Sequence, residues 1–166
     1  MSKPSITIIA VVVLVFTLAS VTMAADPIIG TWKLNITQSK FSPVLQALQK
    51  KYTRKERTEN YRVDEKDRIV LSTNTILTDG SSLVGGAIWP AQGGMVIVHD
   101  PPVADTSQVE TLIEPGNWYV TIVKNGKQDM VIHKTISKDG KVLRQTFTGT
   151  DPAGKPYEHM EVYDRQ

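Results

Sequence analysis

From Arg54 onward the apolar positions fall in short runs rich in Val, Ile, Thr and aromatic residues: Ile69 to Leu77, Trp118 to Lys124, Gln128 to Ser137, Val142 to Gly149 and Tyr157 to Asp164. The intervening residues carry turn chemistry: Asp64-Glu65-Lys66-Asp67, Asp79-Gly80, Gly93-Gly94, Pro115-Gly116, Asn125-Gly126, Asp139-Gly140 and Asp151-Pro152-Ala153-Gly154. Such residues supply a positive or preset φ where hairpins need it. Hairpins in sequence order predict an all-β fold, an antiparallel up-and-down meander of about eight to ten strands that removes its free edges by closing into a barrel. One segment departs from this rhythm. Pro43 to Tyr52 places Val44, Leu45, Leu48 and Tyr52 on one side at helical spacing, with Ser42 as N-cap and Lys50-Lys51 near the end. This predicts one short helix after the first strand. Asp100-Pro101-Pro102 and the polar stretch to Gln108 read as a loop, because proline gives no ladder donor. Gly85-Gly86 and Gly93-Gly94 read as bulge and turn residues.

The N-terminus carries a different signal. Lys3 is followed by an almost uninterrupted apolar stretch, Ile6 to Ser20, and by small residues at Thr22-Met23-Ala24, the pattern of a secretory signal peptide over residues 1–25 cleaved near Ala24 or Ala25. An uncleaved membrane anchor is the competing reading. Cleavage leaves residues 26–166, about 141 residues and a single domain with no room for a second. The chain has no cysteine, so an exported domain of this kind is held by its core alone, without disulfides, thiol catalysis or a lipidated N-terminal cysteine. With 19 basic and 17 acidic side chains the formal charge is +2, too balanced for a dedicated nucleic-acid binder. The basic cluster from Lys50 to Lys55 reads as a solvated face, with attraction to an anionic membrane as the alternative.

Side chains alternate between the two faces of a strand. By hydrophobicity Met130, Ile132, Ile136, Leu143, Phe147, Met160 and Val162 point inward, leaving His133, Arg144, His159, Glu161 and Tyr163 outside. His159 and Glu161 share a face, a spacing suited to a metal or to general acid–base work. His133 is expected two strands away, roughly 10 Å at the usual interstrand spacing, so neither a metal site nor a cofactor is expected. The sequence contains no nucleophile elbow, paired-histidine zinc motif or phosphate-binding glycine loop.

Gly30-Thr31-Trp32-Lys33-Leu34-Asn35 resembles the glycine-any-tryptophan signature that opens lipocalins and fatty-acid-binding proteins, the calycin group, and Val162-Tyr163-Asp164-Arg165 resembles the last strand of the fatty-acid-binding proteins. Ser39-Lys40-Phe41, Ser137 to Lys141, Gly149-Thr150-Asp151 and Gly154-Lys155-Pro156 are also similar to a family of small secreted bacterial proteins described as lipocalin-like. The resemblance implies a calycin-like barrel closed at one end by Trp32, with Gly30 letting the neighbouring backbone approach. It also implies the opposite face assignment, with Arg144, Glu161 and Tyr163 lining the cavity as ligand-binding residues. Fatty-acid binders carry an arginine two residues before the final-strand tyrosine, where this chain has Glu161. Arg144 then either binds an anion or neutralises Glu161.

The function these readings imply is an exported, periplasmic or secreted, lipocalin-like protein that binds a small, largely apolar ligand inside its barrel, with no stable membrane span once the signal is removed. The alternatives are an envelope protein-interaction or inhibitor module with a filled barrel, and a barrel enzyme using His159 and Glu161.

Overall fold

The computed structural model describes residues 25–43, 54–100, 104–151 and 153–166, with the backbone alone at 98–100. The expected signal peptide lies outside the described residues except for Ala25, and the expected helix except for Pro43; Pro101 and Pro102 of the expected loop lie outside them as well. Among the described residues there are eleven strand segments: β1 (Gly30–Leu34), β2 (Arg54–Val63), β3 (Arg68–Leu77), β4 (Ser82–Pro90), β5 (Gly93–Met95), β6 (Val98–Asp100), β7 (Thr106–Glu114), β8 (Asn117–Lys124), β9 (Lys127–Ile136), β10 (Val142–Thr150) and β11 (Pro156–Arg165). All pairings are antiparallel, and they join sequence neighbours except where β11 returns to β1 and where β5 pairs with β7 and β6 with β4.

Closure depends on the run from Gly93 to Asp100. Its first half, β5, pairs with β7, and its second half, β6, pairs with β4. The exchange takes place across one peptide: Val96 N–H donates to Gln108 O on one side, and Ile97 N–H donates to Ile88 O on the other. Counted as one strand, this run makes a ten-stranded, nearly closed meander. A run whose opening Gly93-Gly94 reads as turn residues therefore serves as the closing strand, because the meander needs a neighbour on both sides there.

The turns follow their local chemistry. Asn125 and Gly126 both have positive φ, 50° and 72°, the two-residue hairpin geometry that asparagine-glycine favours. Asp67, Gly80, Asp105, Gly116, Gly140 and Gly154 supply further left-handed turn positions. Gly85-Gly86 is not a bulge: both residues lie in a regular ladder, Gly86 opposite Ser72 and Gly85 opposite Thr73. A Cβ on Gly86 would stand 2.5 Å from the carbonyl oxygen of Leu71, so the need for glycine here comes from the close approach of β3.

One end of the barrel is closed by a buried cluster that includes Ile28, Trp32, Ile69, Trp89, Trp118 and Leu143. The segment just before β1 seals it. The Asp26 carboxylate accepts hydrogen bonds from Ile28 N–H (2.8 Å) and Trp118 Nε1 (3.1 Å), and Trp32 Nε1 donates to Ile28 O (2.7 Å). From the last strand the Arg165 guanidinium lies 4.3 Å from the Trp32 ring and donates to the carbonyls of Pro27, Ile29 and Gly140. Gly30, with φ 140°, leaves room for it, since a Cβ there would meet Arg165 Nη1 at 2.7 Å.

Candidate functional site

The interior beyond this cluster is built from charged side chains. On β2 the sequence Arg57-Thr58-Glu59-Asn60-Tyr61 alternates faces, which directs Arg57, Glu59 and Tyr61 inward. Glu59 is the hub, and both of its carboxylate oxygens are occupied. Oε1 accepts from Arg57 Nε at 2.9 Å and pairs with Nη2 at 2.9 Å, while Oε2 accepts from the Tyr61 hydroxyl and Gln145 Nε2, each at 2.7 Å.

The final hairpin decides the rest. Its cross-strand partners are Leu143 with Tyr163, Gln145 with Glu161 and Phe147 with His159, and such partners share a face. Leu143, Phe147, Ile132 and Ile136 face inward, as the hydrophobic pattern predicts, and Arg144 and His133 face outward. On β11 that pattern fails: His159, Glu161 and Tyr163 are inside and each is at most 2% exposed, while Met160 and Val162 take the other face. Arg144, opposite Val162, is exposed on the outer wall, so of the three residues that the resemblance turns inward, Glu161 and Tyr163 face the interior and Arg144 does not. The physical reason is twofold. The Asp151 to Lys155 connection sets the parity of β11. Val162 is also buried on its outward side, where the stretch after β1 runs alongside β11, with Asn35 N–H donating to Val162 O and Val162 N–H to Ser39 Oγ.

Glu161 pairs with Arg54 and not with Arg144. Arg54, the last basic residue but one of the Lys50 to Lys55 cluster, is thus turned into the barrel and is not part of a solvated face. Glu161 also accepts from His159 Nε2 at 3.0 Å, and the Tyr163 hydroxyl, which donates to Glu161 Oε2, lies 3.1 Å from Glu59 Oε1. Burial alone would raise the Glu161 carboxyl, but the His159 hydrogen bond, Arg54, Arg57 and Tyr163 outweigh it and bring it down to about 2. For Glu59 burial is likewise opposed, chiefly by Arg57 and then by Tyr61 and Lys134, and the net direction is downward. Burial, followed by the Glu59 charge, pushes both Tyr61 and Tyr163 up.

A second pair faces this network. Lys134, buried on β9 between Ile132 and Ile136, reaches the Glu110 carboxylate at 3.4 and 3.5 Å and lies over the rings of Trp89 (5.2 Å) and Tyr61 (5.6 Å). Gln108 Nε2 donates to Glu110 Oε1 at 2.6 Å. Between the two networks lies a cavity of about 320 Å³, with Leu71, Ala87, Ile132 and Phe147 on its apolar walls and Arg57, Glu59, Lys134 and Glu161 among its polar ones. It adjoins a smaller cavity of about 190 Å³ between Arg54 and the exposed Val84. His159 is packed against the rings of Phe41 and Phe147, its Nδ1 without a partner.

His133, the outward histidine, stacks on Tyr119 at 4.3 Å and bonds Asn117 Oδ1. Among the described residues no group of three or more His, Asp or Glu side chains could hold a metal ion. The sequence reading missed Arg57, Glu59, Lys134 and Gln145. The last two carry a readable signal, because each sits at the same parity as inward apolar neighbours. Strand β2 carries charges on both faces, so no hydrophobic period marks its inner side.

No protein-family model matches the chain, and no curated protein matches it in sequence. Solved structures do resemble it. The crystal structure of the fluorescent protein UnaG aligns with a TM-score of 0.63 and 15% identity over 86% of this chain and 100% of that one. An asparagine-to-alanine mutant of UnaG aligns at 0.61, again with 15% identity, over 86% and 99%. At that level of identity the likeness bears on architecture: the chain has a calycin-like, all-β antiparallel barrel fold.

Proposed function

We propose that this protein is exported and binds a small lipophilic molecule inside its barrel. The observation that carries this reading is the cavity of about 320 Å³, which the large side chains of ten strands leave open and which falls at the lower end of the range of ligand pockets. Its apolar walls receive the body of such a molecule, and its charged walls fix its orientation. The calycin-like fold supports the same reading, because barrels of this strand number hold one ligand without opening into a channel. Export to the periplasm or beyond rests on the signal-peptide pattern of residues 1–25 and on the family of secreted lipocalin-like proteins that the terminal motifs resemble.

The test is native mass spectrometry of the protein purified from the envelope fraction of its own cells, followed by denaturing release. The expected result is a discrete co-purifying small molecule and a mature N-terminus at Ala25 or Asp26. A clean apo mass, together with no binding across a panel of lipophilic probes, would refute ligand binding and favour a protein-interaction module; retention of Met1 in the cytoplasmic fraction would refute export.

A further inference from the structure

The interior is selective in a way that its charge content alone does not reveal. Its carboxylates are already taken. Glu59 has both oxygens doubly occupied, Glu161 is held by Arg54, His159 and Tyr163, and Glu110 accepts from Gln108 at Oε1, its Oε2 meeting only Lys134 at a long 3.4 Å. Its cations are not. Arg57 has five N–H donors, of which two point to Glu59 and one reaches Thr75 Oγ1 at a long 3.4 Å. Lys134 has three, and its contacts to Glu110, at 3.4 and 3.5 Å, are well beyond the roughly 2.8 Å of a charge-assisted hydrogen bond. Among the described residues no other acceptor reaches the Lys134 ammonium. The cavity therefore offers unused N–H donors of Arg57 and Lys134, while its carboxylate oxygens are mostly occupied and its other acceptors include the amide oxygens of Gln108 and Gln145.

Charge sets the second condition. The cations Arg54, Arg57 and Lys134 are matched by Glu59, Glu110 and Glu161. His159 uses one N–H, toward Glu161, and has no acceptor at its other nitrogen. A ligand bringing its own negative charge against the buried Glu59, Lys134 and Glu161 would stand there as an unmatched anion, which is costly away from water. A neutral oxygen acceptor adds no charge and takes up the unused donors.

From this balance we propose that the barrel selects an uncharged ligand bearing a carbonyl-type acceptor oxygen, anchored on the Lys134 ammonium beside Trp89 and Tyr61. The proposal rests on the ligand-binding reading above and specifies the chemistry of what is bound. It also sets this interior apart from one built to hold a carboxylate.

Three molecules with the same bicyclic body separate the possibilities: 2-acetylnaphthalene (neutral carbonyl), 2-naphthoate (anion) and 2-ethylnaphthalene (hydrocarbon). Each is titrated calorimetrically into the protein, produced as the full chain and processed by its cell. The expected result is that 2-acetylnaphthalene binds about tenfold more tightly than either of the others, the difference one well-made hydrogen bond provides. In K134M/E110Q, which removes both charges together and leaves no lone buried ion, the advantage over 2-ethylnaphthalene should largely vanish. In the unaltered protein the infrared carbonyl stretch of bound 2-acetylnaphthalene should move below its frequency in hydrocarbon solvent, a readout independent of any variant. Equal or tighter binding of 2-naphthoate, or an unshifted carbonyl stretch, would overturn this inference and leave the ligand-binding reading standing. Failure of all three to bind would overturn both.

Discussion

Glu161 makes the barrel interior measurable by pH. Its carboxyl lies near 2 in the folded protein, against an ordinary 4.5, and each pK step is worth about 1.4 kcal/mol of stability. The depressed folded value means that this contribution is complete above pH 4.5 and is lost as the pH falls toward 2, where the folded form is protonated as well. The difference amounts to about 3 kcal/mol, a large share of the roughly 5–15 kcal/mol that holds a typical domain. Glu161→Gln gives the neutral, nearly isosteric side chain at every pH. At pH 7 the variant should be less stable by about 3 kcal/mol, or roughly 10 °C in Tm for a domain of this size. The gap should close between pH 4.5 and 2 as the wild-type carboxyl protonates. Asp64, Asp79 and Asp139 also titrate low in the folded state, but they are common to both proteins and cancel in the difference; Glu59, also held low, loses the like charge of Glu161 in the variant and goes lower there, which offsets part of the gap. Urea denaturation at a series of pH values, read as the difference in unfolding free energy, is the assay. A gap that is constant from pH 7 to 2 would show that the cost of Glu161→Gln is packing and geometry, and that the carboxylate is not held by Arg54, His159 and Tyr163 as described.

Two further outcomes follow from the placement of side chains. Gly86→Ala would set a Cβ 2.5 Å from the Leu71 carbonyl oxygen, and that oxygen cannot swing away without opening the β3–β4 ladder; a loss of about 2–4 kcal/mol in urea denaturation is expected, and a loss below about 1 kcal/mol would contradict the close approach. Arg144→Ala should change stability by less than about 0.5 kcal/mol and leave the affinity for 2-acetylnaphthalene unchanged within about twofold, because Arg144 stands on the outer wall; a larger loss of affinity would return it to the binding site.

Turn chemistry and strand composition made the meander legible, because both act within a few residues. Asn125-Gly126, Asp139-Gly140 and Asp151 to Gly154 set hairpins wherever they occur, and β-branched runs between them need only a sheet to join. The parity of β9 and β10 was also legible, since Ile132, Ile136, Leu143 and Phe147 mark one face, and Lys134 and Gln145 follow from it by period two. The parity of β11 was not. Hydrophobicity there points to Met160 and Val162, yet the interior is polar and Val162 finds its burial beside the stretch after β1. Nor could local pattern show that the run from Gly93 to Asp100 closes the barrel, pairing with one neighbour and then with the other.

The sequence by itself determined an all-β antiparallel meander and its turns, which depend on neighbours in the chain. The tertiary structure decided that Arg54, Arg57, Glu59, Lys134 and Glu161, drawn from three strands, meet inside it. A charged residue is stable in a barrel interior only when a partner from another strand is within reach, and that partner is set by register and closure, which no single segment encodes.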